Sequence, residues 1–93
     1  MAKATAEPRP VTVRDFAERK RKGEKLVVMT AYDALFGRLV DESGVDAILV
    51  GDSVGTAIMG YPSTLPVTLD QMIYHASAVR RGAKRALIII DMP

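Results

Sequence analysis

The chain contains no cysteine, no tryptophan and a single histidine, His75, among its 93 residues. Without cysteine there is no disulfide framework, no thiolate nucleophile and no zinc site built on sulfur, and one histidine cannot make a histidine-rich metal centre. Any metal must therefore rest on oxygen ligands. Aromatic residues make up only 5% of the chain and the formal net charge is +2. With so few rings to stack on bases and so small a basic excess, no nucleic-acid partner is implied. No stretch approaches the roughly 18 uncharged apolar residues of a membrane span, and Met1 to Pro10 holds no apolar core of a signal peptide. The expectation from these absences is no membrane partner and a cytoplasmic location.

What is present is an ordinary folded composition, 48% hydrophobic and 26% charged, enough for one small domain or a piece of one. Met1 to Val11 is polar with two prolines and reads as a flexible arm ahead of a domain over residues 12–93. Arg14, Arg19, Lys20, Arg21, Lys22 and Lys25 cluster early, but Asp15, Glu18 and Glu24 are interspersed, which reads as a solvated helix face.

Regular signals start at Thr12, an N-cap with Asp15 three residues on, and run through Val13, Phe16 and Ala17 to a stop at Gly23, giving a first helix. Leu26 to Met29 is too short for a helix and uniformly apolar, so Lys25 to Thr30 reads as a buried strand. Asp33 caps a second helix bearing Leu35, Phe36, Leu39 and Val40, stopped by Gly44. Val45 to Val50 is a second strand that leads directly into Gly51, Asp52 and Ser53. Gly55, Gly60, Pro62 and Pro66 make residues 54–67 a long loop rather than a helix, and loops of that length usually carry function. Thr68 with Gln71 forms a capping box for a third helix whose apolar face is Met72, Ile73, Ala76 and Val79. A third strand, Ala86 to Ile90, closes on Asp91.

Unalternating aliphatic strands separated by amphipathic helices belong to a parallel sheet with right-handed crossovers, so the class is α/β. Three such strands leave two open edges and much of the sheet uncovered. The pattern is a piece of a larger (β/α) architecture of about 250 residues, or one that pairs with other chains.

In parallel sheets ligands bind beyond the carboxyl ends of the strands. The second strand ends in Asp52 and Ser53, the third in Asp91. Neighbouring strands lie about 4.8 Å apart, so carboxylates at one level can reach one cation, and two hard oxygen ligands with open positions suit Mg²⁺. Each Asp is equally of a type that caps a following helix, although a long loop follows Asp52. Thr30 and Tyr32 follow the first strand near the same mouth, Tyr32 as a ring packed over the rim. Gly51 to Gly55 also matches the G-x-S-x-G of a hydrolase elbow. That motif needs a helix directly after Ser53, and His75, inside the third helix, has no evident acid to orient it.

Five ordered blocks carry a resemblance: Thr30-Ala31-Tyr32-Asp33, Val50-Gly51-Asp52-Ser53, Ser63-Thr64-Leu65-Pro66-Val67-Thr68, Ala78-Val79-Arg80-Arg81-Gly82 and Asp91-Met92-Pro93. Over residues 12–93 the chain resembles the amino-terminal third of the ketopantoate hydroxymethyltransferases. The resemblance implies a (β/α)8 TIM-type barrel that assembles as a homo-oligomer, a decamer. It implies transfer of a hydroxymethyl group from 5,10-methylenetetrahydrofolate to 3-methyl-2-oxobutanoate, on the route to pantothenate and coenzyme A. It further implies that Asp52 and Asp91 ligate Mg²⁺, that Asp52, Ser53 and Asp91 form the keto-acid site, and that bound Mg²⁺ stabilises the enolate formed at C3. Ser53 is on this view a hydrogen-bond donor to substrate rather than a nucleophile. The lysine and glutamates that complete the site and remove the proton in the family have no counterpart in this sequence, so the expectation is an incomplete active site with no catalytic residue of its own. Two alternatives stand beside this: a Mg²⁺-dependent keto-acid barrel of the phosphoenolpyruvate mutase and isocitrate lyase type, and a non-catalytic partial barrel that self-associates.

Overall fold

The computed structural model describes residues 9–93. The expected arm at 1–11 thus falls mainly outside the described residues. At its end the Val11 N–H donates to the Arg85 carbonyl at 2.7 Å.

The element order is α1 (Val13–Lys22), β1 (Val28–Thr30), α2 (Ala34–Glu42), β2 (Ala47–Val50), α3 (Val54–Ala57), α4 (Leu69–Gly82) and β3 (Leu87–Ile90). Each long helix starts where its cap dictates. Thr12 and Asp15 form a reciprocal capping box on α1, and Thr68 and Gln71 form one on α4. The Asp33 carboxylate accepts the Phe36 N–H at the head of α2. Gly23 stops α1 in the left-handed region at φ 75°, where a side chain would cost about 1 kcal/mol. The expected loop at 54–67 contains one element that the glycines and prolines concealed, the four-residue helix α3. It is a single turn, complete before Gly60 and Pro62, so those residues bound it rather than forbid it.

The three strands form one parallel sheet in the order β1-β2-β3, with Val28 opposite Ala47 and Val50 opposite Ile90. The α/β class and its three parallel strands agree with the sequence reading, and this is the arrangement with which a (β/α)8 barrel begins. β2 is the buried strand. Its Ile48 and Val50 join Val54, Met72, Ala76 and Val79 in the core, and among the described residues no polar or charged side chain is buried. Ile73, expected on the apolar face of α4, is 53% exposed. The buried stripe of that helix is Met72, Ala76 and Val79.

α2 and α4 cross closely because two glycines leave room. A Cβ on Gly82 would stand 2.2 Å from the Ala34 carbonyl oxygen, and one on Gly37 would stand 3.0 Å from that of Val79. The other end of the sheet is clamped by charges. The Asp46 carboxylate, just before β2, accepts the Val27 N–H and pairs with Arg19 of α1, each at 2.9 Å. Asp41 accepts the backbone N–H groups of Lys84, Arg85 and Ala86 at the entry to β3. These clamps secure the amino-terminal ends of the strands and leave the carboxyl ends for chemistry. Among the described residues no helix is long and apolar enough to cross a membrane.

Candidate functional site

The carboxyl ends of the three strands bring together Tyr32, Asp52, Ser53 and Asp91. Pairing between β2 and β3 runs on past the strands, since the Asp91 N–H donates to the Val50 carbonyl at 3.1 Å. With Val50 opposite Ile90, Asp91 comes level with Gly51, and Asp52 stands one residue further out. The two aspartates are therefore staggered, not at one level as the strand ends alone suggested. Their connection is direct all the same: Asp91 Oδ2 accepts the Asp52 backbone N–H at 3.1 Å.

Gly51 makes this approach possible. A Cβ there would stand 3.2 Å from Asp91 Oδ2 and 3.4 Å from Ser53 Oγ, so the missing side chain opens a cradle between a carboxylate and a hydroxyl. Both oxygens converge on the space that the glycine leaves.

Neither aspartate serves as a helix cap here. The N-cap of α3 is Ser53, whose side chain makes no capping hydrogen bond. Among the described residues the Asp52 carboxylate has no hydrogen-bond partner within the chain, while that of Asp91 is bonded to the end of β2. Among the described residues, too, no cluster of three or more metal-ligating side chains occurs. The donor set at the strand ends is two carboxylates and a hydroxyl, all oxygen. That chemistry fits Mg²⁺, which keeps several waters or substrate oxygens and takes only one or two protein carboxylates.

Ser53 also lacks the features of a nucleophile. Its backbone, at φ −59° and ψ −10°, is ordinary right-handed helix rather than the strained turn of an elbow. Its hydroxyl lies 2.6 Å from that of Tyr32. His75 lies elsewhere, with Nδ1 2.8 Å from the Tyr32 carbonyl and its ring edge-on to Tyr74. It lies inside the helix the sequence placed it in and is half-buried, and the partner it has found is a backbone carbonyl. Sequence reasoning placed Tyr32 over the rim and missed its bond to Ser53. The only signal for that bond was the closeness of both residues to strand ends.

A parallel α/β sheet with polar side chains gathered beyond its strand ends and a charged clamp at the opposite ends has the layout of a (β/α)-barrel enzyme. Comparison with known proteins makes the class particular: the ketopantoate hydroxymethyltransferase family profile matches residues 10–93, and the chain belongs to that family. It is 55% identical over 83 residues to the 3-methyl-2-oxobutanoate hydroxymethyltransferase of Marinobacter nauticus, covering 89% of this chain and 31% of that protein. It is 54% identical over 84 residues to the enzyme of that name from Methylococcus capsulatus, covering 90% and 31%. With that of Thermosynechococcus vestitus it shares 53% identity over 85 residues, covering 91% and 33%. The chain thus spans about a third of the length of these curated relatives. The match leaves the mutase and lyase alternative without support.

Proposed function

We propose that this chain contributes the metal and keto-acid half of a 3-methyl-2-oxobutanoate hydroxymethyltransferase, an enzyme of pantothenate biosynthesis that takes its one-carbon unit from 5,10-methylenetetrahydrofolate. The observation that carries the reading is the convergence of Asp91 and Ser53 on the Gly51 cradle, with Asp52 bonded to Asp91. Asp52 and Asp91 would hold Mg²⁺. When bound, that ion would supply a Lewis acid that polarises a 2-keto acid and eases loss of its C3 proton.

The chain's own residues bind and orient. Ser53 presents a hydroxyl to the keto acid, and the Asp91 carboxylate fixes the β2 end by accepting the Asp52 N–H. Among the described residues no histidine or spare carboxylate stands at the strand ends to remove the C3 proton, so the reading assigns binding here and proton abstraction elsewhere. Homo-oligomer formation belongs to the same reading, as the resemblance to this family implies.

The test is titration of the 93-residue chain with 3-methyl-2-oxobutanoate, with and without Mg²⁺, while the C3 proton is followed by NMR. Keto-acid binding that requires Mg²⁺, without accelerated exchange at C3, is the expected result. Rapid exchange, or binding indifferent to Mg²⁺, overturns the reading.

A further inference from the structure

Three features remain outside the roles assigned so far. The Tyr32 hydroxyl stands 2.6 Å from that of Ser53, His75 Nδ1 stands 2.8 Å from the Tyr32 carbonyl, and Ser53 heads α3 without using its side chain as a cap. Together they tie the end of β1, the end of β2 and the middle of α4 into one chain of contacts.

Hydrogen accounting gives this chain a direction. A serine hydroxyl has one hydrogen and two lone pairs, and a phenol likewise has only one hydrogen to give. The carboxylate and ketone oxygens of a keto acid accept and cannot donate. A Ser53 that holds such a ligand gives its hydrogen to the ligand, so toward Tyr32 it accepts and the phenol donates. We infer that Tyr32 is a positioning residue for Ser53: its hydroxyl occupies one lone pair of Ser53 Oγ and so turns the Ser53 hydrogen toward the keto-acid site. This rests on the reading of Ser53 as a keto-acid contact.

His75 holds the other side of the tyrosine. A carbonyl can only accept, so Nδ1 carries a hydrogen and donates it to the Tyr32 backbone, anchoring that residue from α4. The competing acceptor explains why direction matters. Asp91 Oδ2 and Ser53 Oγ converge on the same point above Gly51, 3.2 and 3.4 Å away, and an ionised carboxylate outbids a neutral acceptor for a hydroxyl hydrogen. Without the phenol, the Ser53 hydrogen is free to swing toward Asp91 and away from the ligand.

The experiment is a double-substitution cycle on the 93-residue chain, titrated with 3-methyl-2-oxobutanoate in the presence of Mg²⁺. Tyr32→Phe keeps the ring and removes the donor, and is expected to weaken binding about five- to tenfold, the effect of one directing hydrogen bond. On a Ser53→Ala background the same substitution is expected to change affinity by less than about twofold, because its target is gone. Equal weakening on both backgrounds marks a merely structural tyrosine and overturns the inference. A ligand-free readout accompanies it: the ¹³C shift of Tyr32 Cζ reports donation by the hydroxyl and is expected to move on Ser53→Ala. An unmoved resonance also overturns the inference. Should the unsubstituted chain bind no keto acid, the functional reading fails by itself, and the Cζ shift still decides whether Tyr32 directs Ser53.

Discussion

Asp52 donates its backbone N–H to the carboxylate of Asp91 across 3.1 Å, so the residue at the end of β3 fastens the end of β2 with the same carboxylate that is proposed to bind a ligand. The two roles separate by substitution. Asp91→Asn keeps an oxygen to accept the N–H but removes the charge. Its expected effect is at least about a tenfold loss of Mg²⁺ affinity, since hard cations select charged oxygens, with little change in melting temperature. Asp91→Ala loses both roles, and is expected to cost about 1 kcal/mol of stability as well. Asp52→Ala is expected to abolish Mg²⁺ and keto-acid binding with little loss of stability, because that carboxylate has no partner to leave stranded among the described residues. Metal titration alongside thermal unfolding checks all three, and undiminished Mg²⁺ binding in either alanine variant removes the site assignment.

Gly82→Ala is expected to destabilise the chain although alanine is the better helix former. The propensity gain is at most about 1 kcal/mol. Against it stands a Cβ placed 2.2 Å from the Ala34 carbonyl oxygen, a backbone clash that forces α2 and α4 apart at about 1–3 kcal/mol or more. Urea unfolding checks the sign. A variant as stable as the parent would show that the helix crossing has slack.

Acid is expected to weaken the Asp46 clamp. Burial by itself would raise the pKa of this carboxyl, but the Val27 N–H and the Arg19 guanidinium, with Arg85 adding its charge, hold it below the ordinary carboxylate value. A group whose native pKa lies below its unfolded value, about 3.9, contributes stability above that pH and loses it as pH falls through the native pKa. Asp46→Asn is thus expected to cost about 1–2 kcal/mol at neutral pH, and the gap should narrow below about pH 4 as the parent's own carboxyl protonates. Urea midpoints at about pH 7 and about pH 3 read this directly. A gap of equal size at both values contradicts the assignment.

Among the described residues the outer edges of β1 and β3 pair with no further strand. Met29 and Ile90 on these strands are 48% and 47% exposed, and open parallel edges with apolar side chains are templates for other strands. Sedimentation velocity over a wide dilution range is expected to show concentration-dependent association. A monomer at every concentration contradicts it.

The elements were legible because their signals are local. Thr12 with Asp15, Asp33, and Thr68 with Gln71 mark helix starts within four residues, and the aliphatic runs of β2 and β3 are of parallel-sheet type, although only β2 is buried. α3 was hidden because one helical turn lacks a period to detect, and Gly55 inside it reads as a breaker. Asp52, Ser53 and Asp91 stood out as polar residues at the ends of apolar runs. The stagger between the aspartates did not, since it depends on the register of β2 against β3, which no local pattern encodes. Tyr32 with Ser53, and His75 with the Tyr32 carbonyl, join residues 21 and 43 positions apart. Such partners are set by how strands and helices stack, and only coordinates reveal them.

The sheet order repeats the chain order, β1-β2-β3. During synthesis each new strand joins an edge already exposed and never has to wedge between strands that are already paired. The hydroxyl pair, Tyr32 and Ser53, is encoded within the first 53 residues. Asp91 arrives last. In a growing chain both residues of the hydroxyl pair are therefore made before the second of the two carboxylates proposed to hold Mg²⁺.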